Sequence, residues 1–188
     1  MKLLLHACCG PCLIEPLEAL KSEAESVTVV YVNPNIHPVA EYERRRDVLV
    51  EYAEHEDVDV VELPYDVASW MVAVGPLAQA GSERCRACFR LRLDATANYA
   101  AQNGFDAIAT TLTVSPYQDA ILIAEEGERA AAAAGVTYVH RDFRDRYADA
   151  TRRSRELEMY RQNYCGCVLS DVEARAARAK RRSPKERT

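Results

Sequence analysis

Cysteine is the residue type whose number and spacing in this chain most clearly indicate chemistry. The 188-residue sequence contains seven cysteines, and all of them lie in three short clusters. The clusters are Cys8-Cys9-Gly10-Pro11-Cys12, Cys85-Arg86-Ala87-Cys88 and Cys165-Gly166-Cys167. Thiolates are the ligands of iron–sulfur clusters and of many zinc sites, so this spacing predicts a metal or redox centre.

The first cluster combines a tight turn with a predicted helix start. Gly10 and Pro11 force the turn, and proline suits the first turn of a helix because its missing N–H costs nothing there. Cys12 would then lie near the helix N-terminus, where the partial positive charge favours a thiolate over a thiol. We therefore expect the Cys12 sulfur to ionise readily.

The other two clusters can each present a pair of sulfurs to one partner. Cys85 and Cys88 are three residues apart, so they share one helix face and can reach the same metal atom or cluster. Cys165 and Cys167 flank a single glycine, and they can either grip a metal or form a strained redox-active pair. Seven thiols exceed the four ligands of a structural zinc site, which predicts two metal centres or one cluster with a redox pair. The all-thiolate supply favours iron–sulfur, and zinc stays open at this point.

Short β-rich segments alternate with longer helical patterns along the chain. The predicted strands are Leu3–Leu5, Val27–Val32, Val58–Leu63, Asp106–Thr111 and Val136–His140. The predicted helices are Cys12 to Ala24, Val39–Glu54, Glu83 to Asn103 with Ser82 as its N-cap, Tyr117 to Ala134, and most of the chain from Ala148, interrupted around Asn163–Gly166. This alternation indicates an α/β fold: a Rossmann-like parallel sheet of about five strands flanked by helices, with a mostly helical C-terminal part.

The predicted sheet places the first cysteine cluster where α/β proteins bind ligands. In parallel sheets, ligands bind beyond the carboxyl ends of the strands, near the point where strand order reverses. Cys8, Cys9 and Cys12 follow the first predicted strand directly. We expect residues 1–170 to form one α/β metal-binding catalytic domain and residues 171–188 to form a basic C-terminal helix or tail. The basic residues of that tail are either a solvated surface or an arm that contacts phosphates.

The hydropathy pattern does not indicate a membrane protein. The N-terminal apolar run is interrupted by His6 and is shorter than the roughly 7–15 residues of a secretion signal. No segment approaches the roughly 18 apolar residues of a membrane span. The expected location is the cytoplasm, where an odd number of cysteines argues for metal or redox chemistry rather than a disulfide framework. The net charge of −5 does not by itself indicate a nucleic-acid partner.

Longer motifs around these cysteines resemble those of the cobalamin-independent epoxyqueuosine reductases. They agree in order and spacing from His6 to Ser170. The motifs are HACCGPC (His6–Cys12), YVNPNIHP (Tyr31–Pro38), EYERR (Glu41–Arg45), ERCRACFRLRL (Glu83–Leu93), TTLTVSPYQD (Thr110–Asp119) and YRQNYCGCVLS (Tyr160–Ser170). The resemblance implies a two-electron removal of the epoxide oxygen of epoxyqueuosine, at the wobble position of tRNA, which gives the alkene of queuosine.

The same resemblance implies a 4Fe–4S cluster that works without cobalamin. The implied cluster ligands are Cys8, Cys9, Cys85 and Cys88. The implied catalytic residues are Cys12, Cys165 and Cys167. The last two would form a redox-active pair or, with Cys12, hold a second, mononuclear iron. The implied partners are the tRNA that carries epoxyqueuosine in its anticodon loop and an external electron donor.

The implied reaction also needs residues that contact the substrate. A modified base in an anticodon loop must be splayed from its stack and read in a pocket. The candidate substrate-binding residues are His37, Tyr117 and Tyr164 as proton donors, and Tyr42, Arg45, Ser115 and Gln162 as contacts to the nucleobase or phosphate.

Three other functions fit parts of the sequence less well. An ATP-dependent tRNA-modifying enzyme of the adenylating pyrophosphatase type would need a Ser/Gly-rich phosphate loop where this chain has its first cysteine cluster. A zinc-stabilised nucleic-acid-binding module usually has paired C-x-x-C knuckles, which the first and third clusters do not match. A thiol–disulfide oxidoreductase needs only two cysteines and leaves five unexplained.

Overall fold

The computed structural model describes residues 1–182, with side chains described through residue 179, and its centre is a parallel five-stranded sheet. The strands are β1 Lys2–His6, β2 Ser26–Tyr31, β3 Val60–Glu62, β4 Ala107–Thr110 and β5 Thr137–Tyr138. Their order across the sheet is β3-β2-β1-β4-β5, and all four neighbouring pairs are parallel. The predicted α/β fold with about five parallel strands is confirmed.

Seven helices surround this sheet within the described residues. They are α1 Gly10–Lys21, α2 Val39–His55, α3 Val67–Val74, α4 Ser82–Gln102, α5 Ala120–Ala134, α6 Tyr147–Glu156 and α7 Val168–Arg182. The sequence predicted α1, α2, α4 and α5, but it did not predict α3. Two predicted helix starts are wrong. Ser82 is the first residue of α4 and not its N-cap, and α5 begins at Ala120, where the Asp119 side chain accepts hydrogen bonds from the first backbone N–H groups.

Strand β1 is buried on both of its faces, which explains its uninterrupted apolar sequence. Leu3 and Leu5 pack into a core that includes residues of α1 and α2, whereas Leu4 packs on the opposite side of the sheet against residues of α4 and α5. Full burial of each leucine contributes about 1.5–3 kcal/mol relative to leaving it exposed. These contacts fix β1 at the centre of the sheet.

The carboxyl end of β1 lies at the topological switch point of the sheet. Strands β2 and β3 extend from one side of β1, and β4 and β5 extend from the other, so strand order reverses between β1 and β4. Crevices at such points bind ligands in open α/β sheets. The first cysteine cluster follows β1 immediately, which places its sulfurs at this crevice.

The C-terminal part begins with irregular chain between α6 and α7 and continues as α7. The predicted domain boundary at residue 170 falls inside α7, and the division into two parts stays a prediction. Of the predicted basic tail, residues 183–188 lie outside the described part of the chain. No helix among the residues that are described is both long enough and apolar enough to cross a bilayer.

Candidate metal and redox centre

The first cysteine cluster forms a compact group of three sulfurs after β1. The Sγ atoms of Cys8, Cys9 and Cys12 all lie within 4.8 Å of one another, a spacing that allows them to share a metal ion. Gly10 lets α1 approach α2 here, because a Cβ at this position would lie 2.8 Å from Cγ1 of Val48 and 3.0 Å from its carbonyl oxygen. Glycine at this position therefore permits the close contact between α1 and α2 beside the three sulfurs.

Within this group, Cys8 is the sulfur that carries negative charge most easily. Hydrogen bonds from Cys12 and Cys9 hold the pKa of Cys8 well below its usual range. Burial raises the pKa of Cys9 to about 12, and the hydrogen bond to Cys8 raises that of Cys12. This direction is opposite to the one expected for Cys12 from its place in the first turn of α1.

The other four cysteines line one cleft. Its remaining lining residues come from segments after β2 and β4 and from α3 and α4: Asn35, Trp70, Val74, Arg84, Phe89, Arg92 and Gln118. The cleft opens to solvent and has a cavity volume of about 30 Å³. Trp70 of α3 donates its indole N–H to Cys88 Sγ over 3.4 Å. Helix α3, which sequence analysis missed, therefore forms part of the site.

Backbone carbonyls of the third cluster are held by two residues from the β2–α2 region. Arg45 donates from Nη1 to the Cys165 oxygen at 3.1 Å and from Nη2 to the Tyr164 oxygen at 3.3 Å. The His37 backbone N–H donates to the Gly166 oxygen at 2.8 Å. Gly166 has φ +123°, and a Cβ there would lie 2.8 Å from Ile36 Cγ1. Only glycine fits this position without strain.

Arg45 is itself fixed inside the protein. Its side chain is 1% exposed and forms a buried ion pair with Glu41, with Nε 2.7 Å from Oε1. The Tyr160 hydroxyl donates to the other Glu41 oxygen at 2.7 Å. Arg45 thus has internal partners on both sides, and it holds the backbone carbonyls of Tyr164 and Cys165. Its predicted contact with the nucleobase or phosphate stays a prediction.

The two sulfurs of the third cluster differ in accessibility. Cys165 is exposed and Cys167 is buried, with 3.7 Å between their Sγ atoms. The hydrogen bond between the two thiols lowers the pKa of Cys165 to about 7 and raises that of Cys167. Ser170 Oγ lies 2.9 Å from Cys165 Sγ and adds to this effect. An outside reagent would meet the more acidic sulfur of the pair first.

Two sets of contacts join the first group of sulfurs to the cleft. Gln162 donates from Nε2 to Cys9 Sγ at 2.9 Å, and its nitrogen lies 4.0 Å from Cys12 Sγ. On the other side, Arg92 of the cleft donates to Asn33, which in turn donates to the Ala7 carbonyl beside the first cluster. The iron–sulfur ligands were predicted to come from the first two cysteine clusters. This assignment stays a prediction, because the three thiols that lie closest to one another all belong to the first cysteine cluster.

The predicted substrate-binding residues occupy three different environments. His37 and Tyr164 lie against the cleft: the His37 ring contacts Trp70 with centroids 4.8 Å apart, and the Tyr164 hydroxyl donates to the His37 carbonyl at 2.6 Å. Both ring nitrogens of His37 are buried without a partner in the described structure. Tyr117 is 86% exposed and precedes the cleft residue Gln118.

The other two environments are a loop and the protein interior. Ser115 is half-buried in the segment after β4, where its Oγ accepts from the Tyr117 backbone N–H at 3.3 Å. Tyr42 is buried, donates to Glu62 at 2.7 Å and stacks on Tyr65 with centroids 4.0 Å apart. Tyr42 is thus not among the residues that line the cleft, and its predicted contact with the substrate stays a prediction.

His6, the last residue of β1, lies next to the first cysteine cluster in sequence. It is fully buried, and its Nδ1 is 2.8 Å from Thr110 Oγ1. Burial lowers its pKa to about 3, so the ring is neutral at physiological pH. Its Nε2 has no partner among the described residues.

The chemistry of the lining fits a thiolate-bound metal cluster. Arg84 Nε and Arg92 Nε are buried donors without partners in the described structure, and both side chains line the cleft. A buried donor without a partner lowers the stability of the folded protein by about 1–3 kcal/mol, and an anionic group beside it would offset that loss. Seven free thiols and two unpaired guanidinium donors are a set that suits iron bound by thiolate and sulfide.

Several known proteins are similar to this chain over most of its length. Curated proteins named epoxyqueuosine reductase QueH from Dehalococcoides mccartyi and Thermotoga maritima are each 35% identical to this chain. These matches cover 92% and 94% of this chain and 93% of each relative. Among solved structures, a predicted subunit of a tRNA methyltransferase from Methanocaldococcus jannaschii matches this chain with a TM-score of 0.55 and 12% identity. The match covers 96% of this chain and 88% of the other, and at this identity it supports a shared fold only.

The sequence model of one family matches nearly the whole described chain. That family is described as epoxyqueuosine reductase QueH, and the match spans residues 3–173. The match includes all three cysteine clusters, and it confirms the resemblance predicted from the motifs. This chain therefore belongs to the epoxyqueuosine reductase QueH family.

Proposed function

We propose that this protein is an epoxyqueuosine reductase that converts the epoxide of epoxyqueuosine in tRNA to the alkene of queuosine. Its family supports the reaction. The observation that carries the proposal is the arrangement of the seven thiols, of which three form a compact group after β1 and the other four line one cleft. A cytoplasmic location follows from the proposed tRNA partner.

The proposed reaction consumes two electrons and two protons. Both carbon–oxygen bonds of the epoxide break, a carbon–carbon double bond forms, and the oxygen leaves as water. An external reductant supplies the electrons, because the protein does not generate them. A 4Fe–4S cluster, which we propose on Cys8, Cys9, Cys85 and Cys88, supplies one-electron transfer when bound.

The remaining three cysteines suit a second redox function. Cys165 and Cys167 are close enough to exchange between a dithiol and a disulfide with small movements, and Cys165 is exposed to a reductant. Together with Cys12 they are the thiols available for the alternative, a second mononuclear iron. In either case Gln162, which contacts both Cys9 and Cys12, keeps the first cluster beside this chain segment.

Residues at the cleft suit a splayed nucleobase. Tyr117 offers a largely exposed ring, and aromatic rings bind unstacked RNA bases with a strength of about 1–3 kcal/mol per base. Among the candidate proton donors, the Tyr164 hydroxyl already donates to a carbonyl, whereas the ring nitrogens of His37 have no partner among the described residues. Ser115, next to Tyr117 in the same segment, would contact the nucleotide backbone.

The ligand assignment is tested by iron and acid-labile sulfide content after anaerobic purification. Alanine at Cys8, Cys9, Cys85 or Cys88 should remove the cluster absorbance and sulfide. The matched control is Cys12→Ala, which removes the third sulfur of the same compact group and should keep the sulfide. Retention of full sulfide by any of the first four variants removes that residue from the ligand set, and zinc without sulfide in the wild type contradicts the reductase assignment.

A further inference from the structure

Arg92 occupies a position between the two cysteine groups that the proposed reaction does not yet explain. It lies on α4 one turn after Cys88, and its side chain is 3% exposed. It lines the cleft together with Cys85 and Cys88. A buried guanidinium costs several kcal/mol in lost hydration unless an anion compensates it.

Two hydrogen bonds connect Arg92 to the strand that carries the first cysteine cluster. Arg92 Nη2 donates to Asn33 Oδ1 at 2.7 Å, and Asn33 Nδ2 donates to the Ala7 carbonyl at 2.9 Å. Asn33 is 1% exposed, and Ala7 immediately precedes Cys8. Helix α4, which presents Cys85 and Cys88, is therefore tied through one buried amide to the end of β1.

The charge of Arg92 is compensated differently from that of the other buried arginine at the site. Arg45 pairs with the Glu41 carboxylate, whereas Arg92 hydrogen-bonds to the neutral amide of Asn33. Its Nε is buried without a partner in the described part of the chain. The ionisable neighbours on which its charge acts include Cys8 on one side and Cys88 on the other.

We propose that Arg92 is a positioning residue, which fixes the two cysteine groups relative to each other through Asn33 and supplies the positive charge that a shared iron–sulfur cluster needs. The inference rests on the proposed function, because it assumes that the two groups bind one cluster. A cluster held by four thiolates becomes more negative on reduction, so a nearby fixed cation favours the reduced state. Hydrogen-bond donors and charges around the sulfurs are known to set cluster potentials.

The test compares three variants of the holoprotein. Arg92→Gln removes the charge, Arg92→Lys keeps it without the planar fork, and Asn33→Ala removes the bridge while leaving Arg92. The control is Arg90→Gln on the same helix, whose side chain is half exposed and pairs with Glu126 away from the cleft. Iron and sulfide content, thermal unfolding, and the cluster midpoint potential followed by EPR are measured for each.

The expected result separates charge from simple structural support. In Arg92→Gln the equilibrium between reduced and oxidised cluster should shift about tenfold toward the oxidised form, which is a potential about 59 mV lower for one electron. Arg92→Lys should keep most of the wild-type potential. Arg90→Gln should shift the equilibrium between reduced and oxidised cluster less than threefold. Asn33→Ala should lower cluster content at a nearly unchanged potential. Loss of the cluster from a folded Arg92→Gln protein also supports the proposal, provided that Arg90→Gln retains it.

Two outcomes would overturn the inference, and they are distinguishable. An Arg92→Gln protein with full cluster content and a shift below threefold refutes the role of Arg92 and leaves the proposed function intact. If the Arg92→Gln protein does not fold, Asn33→Ala is the deciding variant. Unchanged cluster content in Asn33→Ala then refutes the proposed link through Asn33. A wild-type protein that binds no iron and sulfide overturns both the inference and the proposed function.

Discussion

Replacing Arg45 by methionine should destabilise the protein far more than a typical change on helix α2. Arg45 is 1% exposed, and its removal leaves the buried Glu41 carboxylate without its cationic partner. The carbonyls of Tyr164 and Cys165 also lose their donor. The third cysteine cluster would then lose two of its backbone contacts together.

The magnitude follows from the burial of the pair. Removing one partner of a buried ion pair costs about 3–5 kcal/mol, mostly because the remaining charge is left uncompensated. Replacing both partners, as in Glu41→Gln with Arg45→Met, avoids that charge and should cost less than Arg45→Met alone. Tyr160→Phe removes one hydrogen bond to Glu41 and should cost about 0.5–1.5 kcal/mol. Arg46→Met is the control, since Arg46 is partly exposed and its pairs are worth about 0–1 kcal/mol.

The assay is urea denaturation of the metal-free, reduced proteins at neutral pH, combined with the alkylation rate of Cys165. Arg45→Met should lower the free energy of unfolding by at least about 3 kcal/mol, and the double variant should recover part of that loss. Cys165 should become more reactive at urea concentrations where the rest of the fold persists. Equal, small losses in Arg45→Met and Arg46→Met, with unchanged Cys165 reactivity, would refute the reasoning.

Three further predictions concern the third cluster and the α4–α5 contact. Gly166→Ala should cost about 1–3 kcal/mol because φ is +123° and the new Cβ meets Ile36, and an unfolding midpoint equal to that of the wild type would contradict this. In the metal-free protein the alkylation rate of Cys165 should rise with pH and reach half its maximum near pH 7, while Cys167 stays slow; mass-spectrometric mapping checks both. The pKa of Glu126 is lowered from 4.5 to about 2, so its carboxylate contributes stability that is present above pH 4.5 and is lost as pH falls toward 2. The difference in free energy of unfolding between wild type and Glu126→Gln should therefore shrink over that range. A constant difference would contradict the lowered pKa of Glu126.

The alternation of strands and helices was predictable because it depends on local sequence. Apolar runs such as Leu3–Leu5 and the helical spacing of residues 39–54 carry their periodicity within one segment. The position of the first cysteine cluster also followed, since parallel sheets place the turn after β1 at the switch point. The family resemblance followed from motif order along the chain and is confirmed.

Contacts between distant segments were not predictable in the same way. Helix α3 is a short apolar segment, Val67–Val74, without a helical polar face, and only its Asp66 cap and its packing define it. Trp70 therefore could not be assigned to the cleft from spacing. Arg45 sits among charged residues in a segment that looks like a solvated surface, and its burial depends on Glu41 one turn before it.

The grouping of the seven sulfurs also depends on tertiary structure. Sequence spacing places Cys12 at a helix start, but the hydrogen bond that raises its pKa comes from the approach of Cys8. The link from Arg92 through Asn33 to Ala7 joins three segments that are far apart in the chain. The sequence does indicate that Arg92 shares a helix face with Cys88, since it follows Cys88 by four residues. Its partner Asn33 could not be identified without the fold.

The most direct test of the central claim is single-turnover conversion of tRNA that carries epoxyqueuosine. Anaerobically purified holoprotein is mixed with this tRNA and a low-potential chemical reductant, and the digested nucleosides are analysed by mass spectrometry. We expect loss of one oxygen atom and formation of queuosine, dependent on the reductant and abolished in Cys85→Ala. Unchanged epoxyqueuosine with protein that contains a full complement of iron and sulfide would contradict the account.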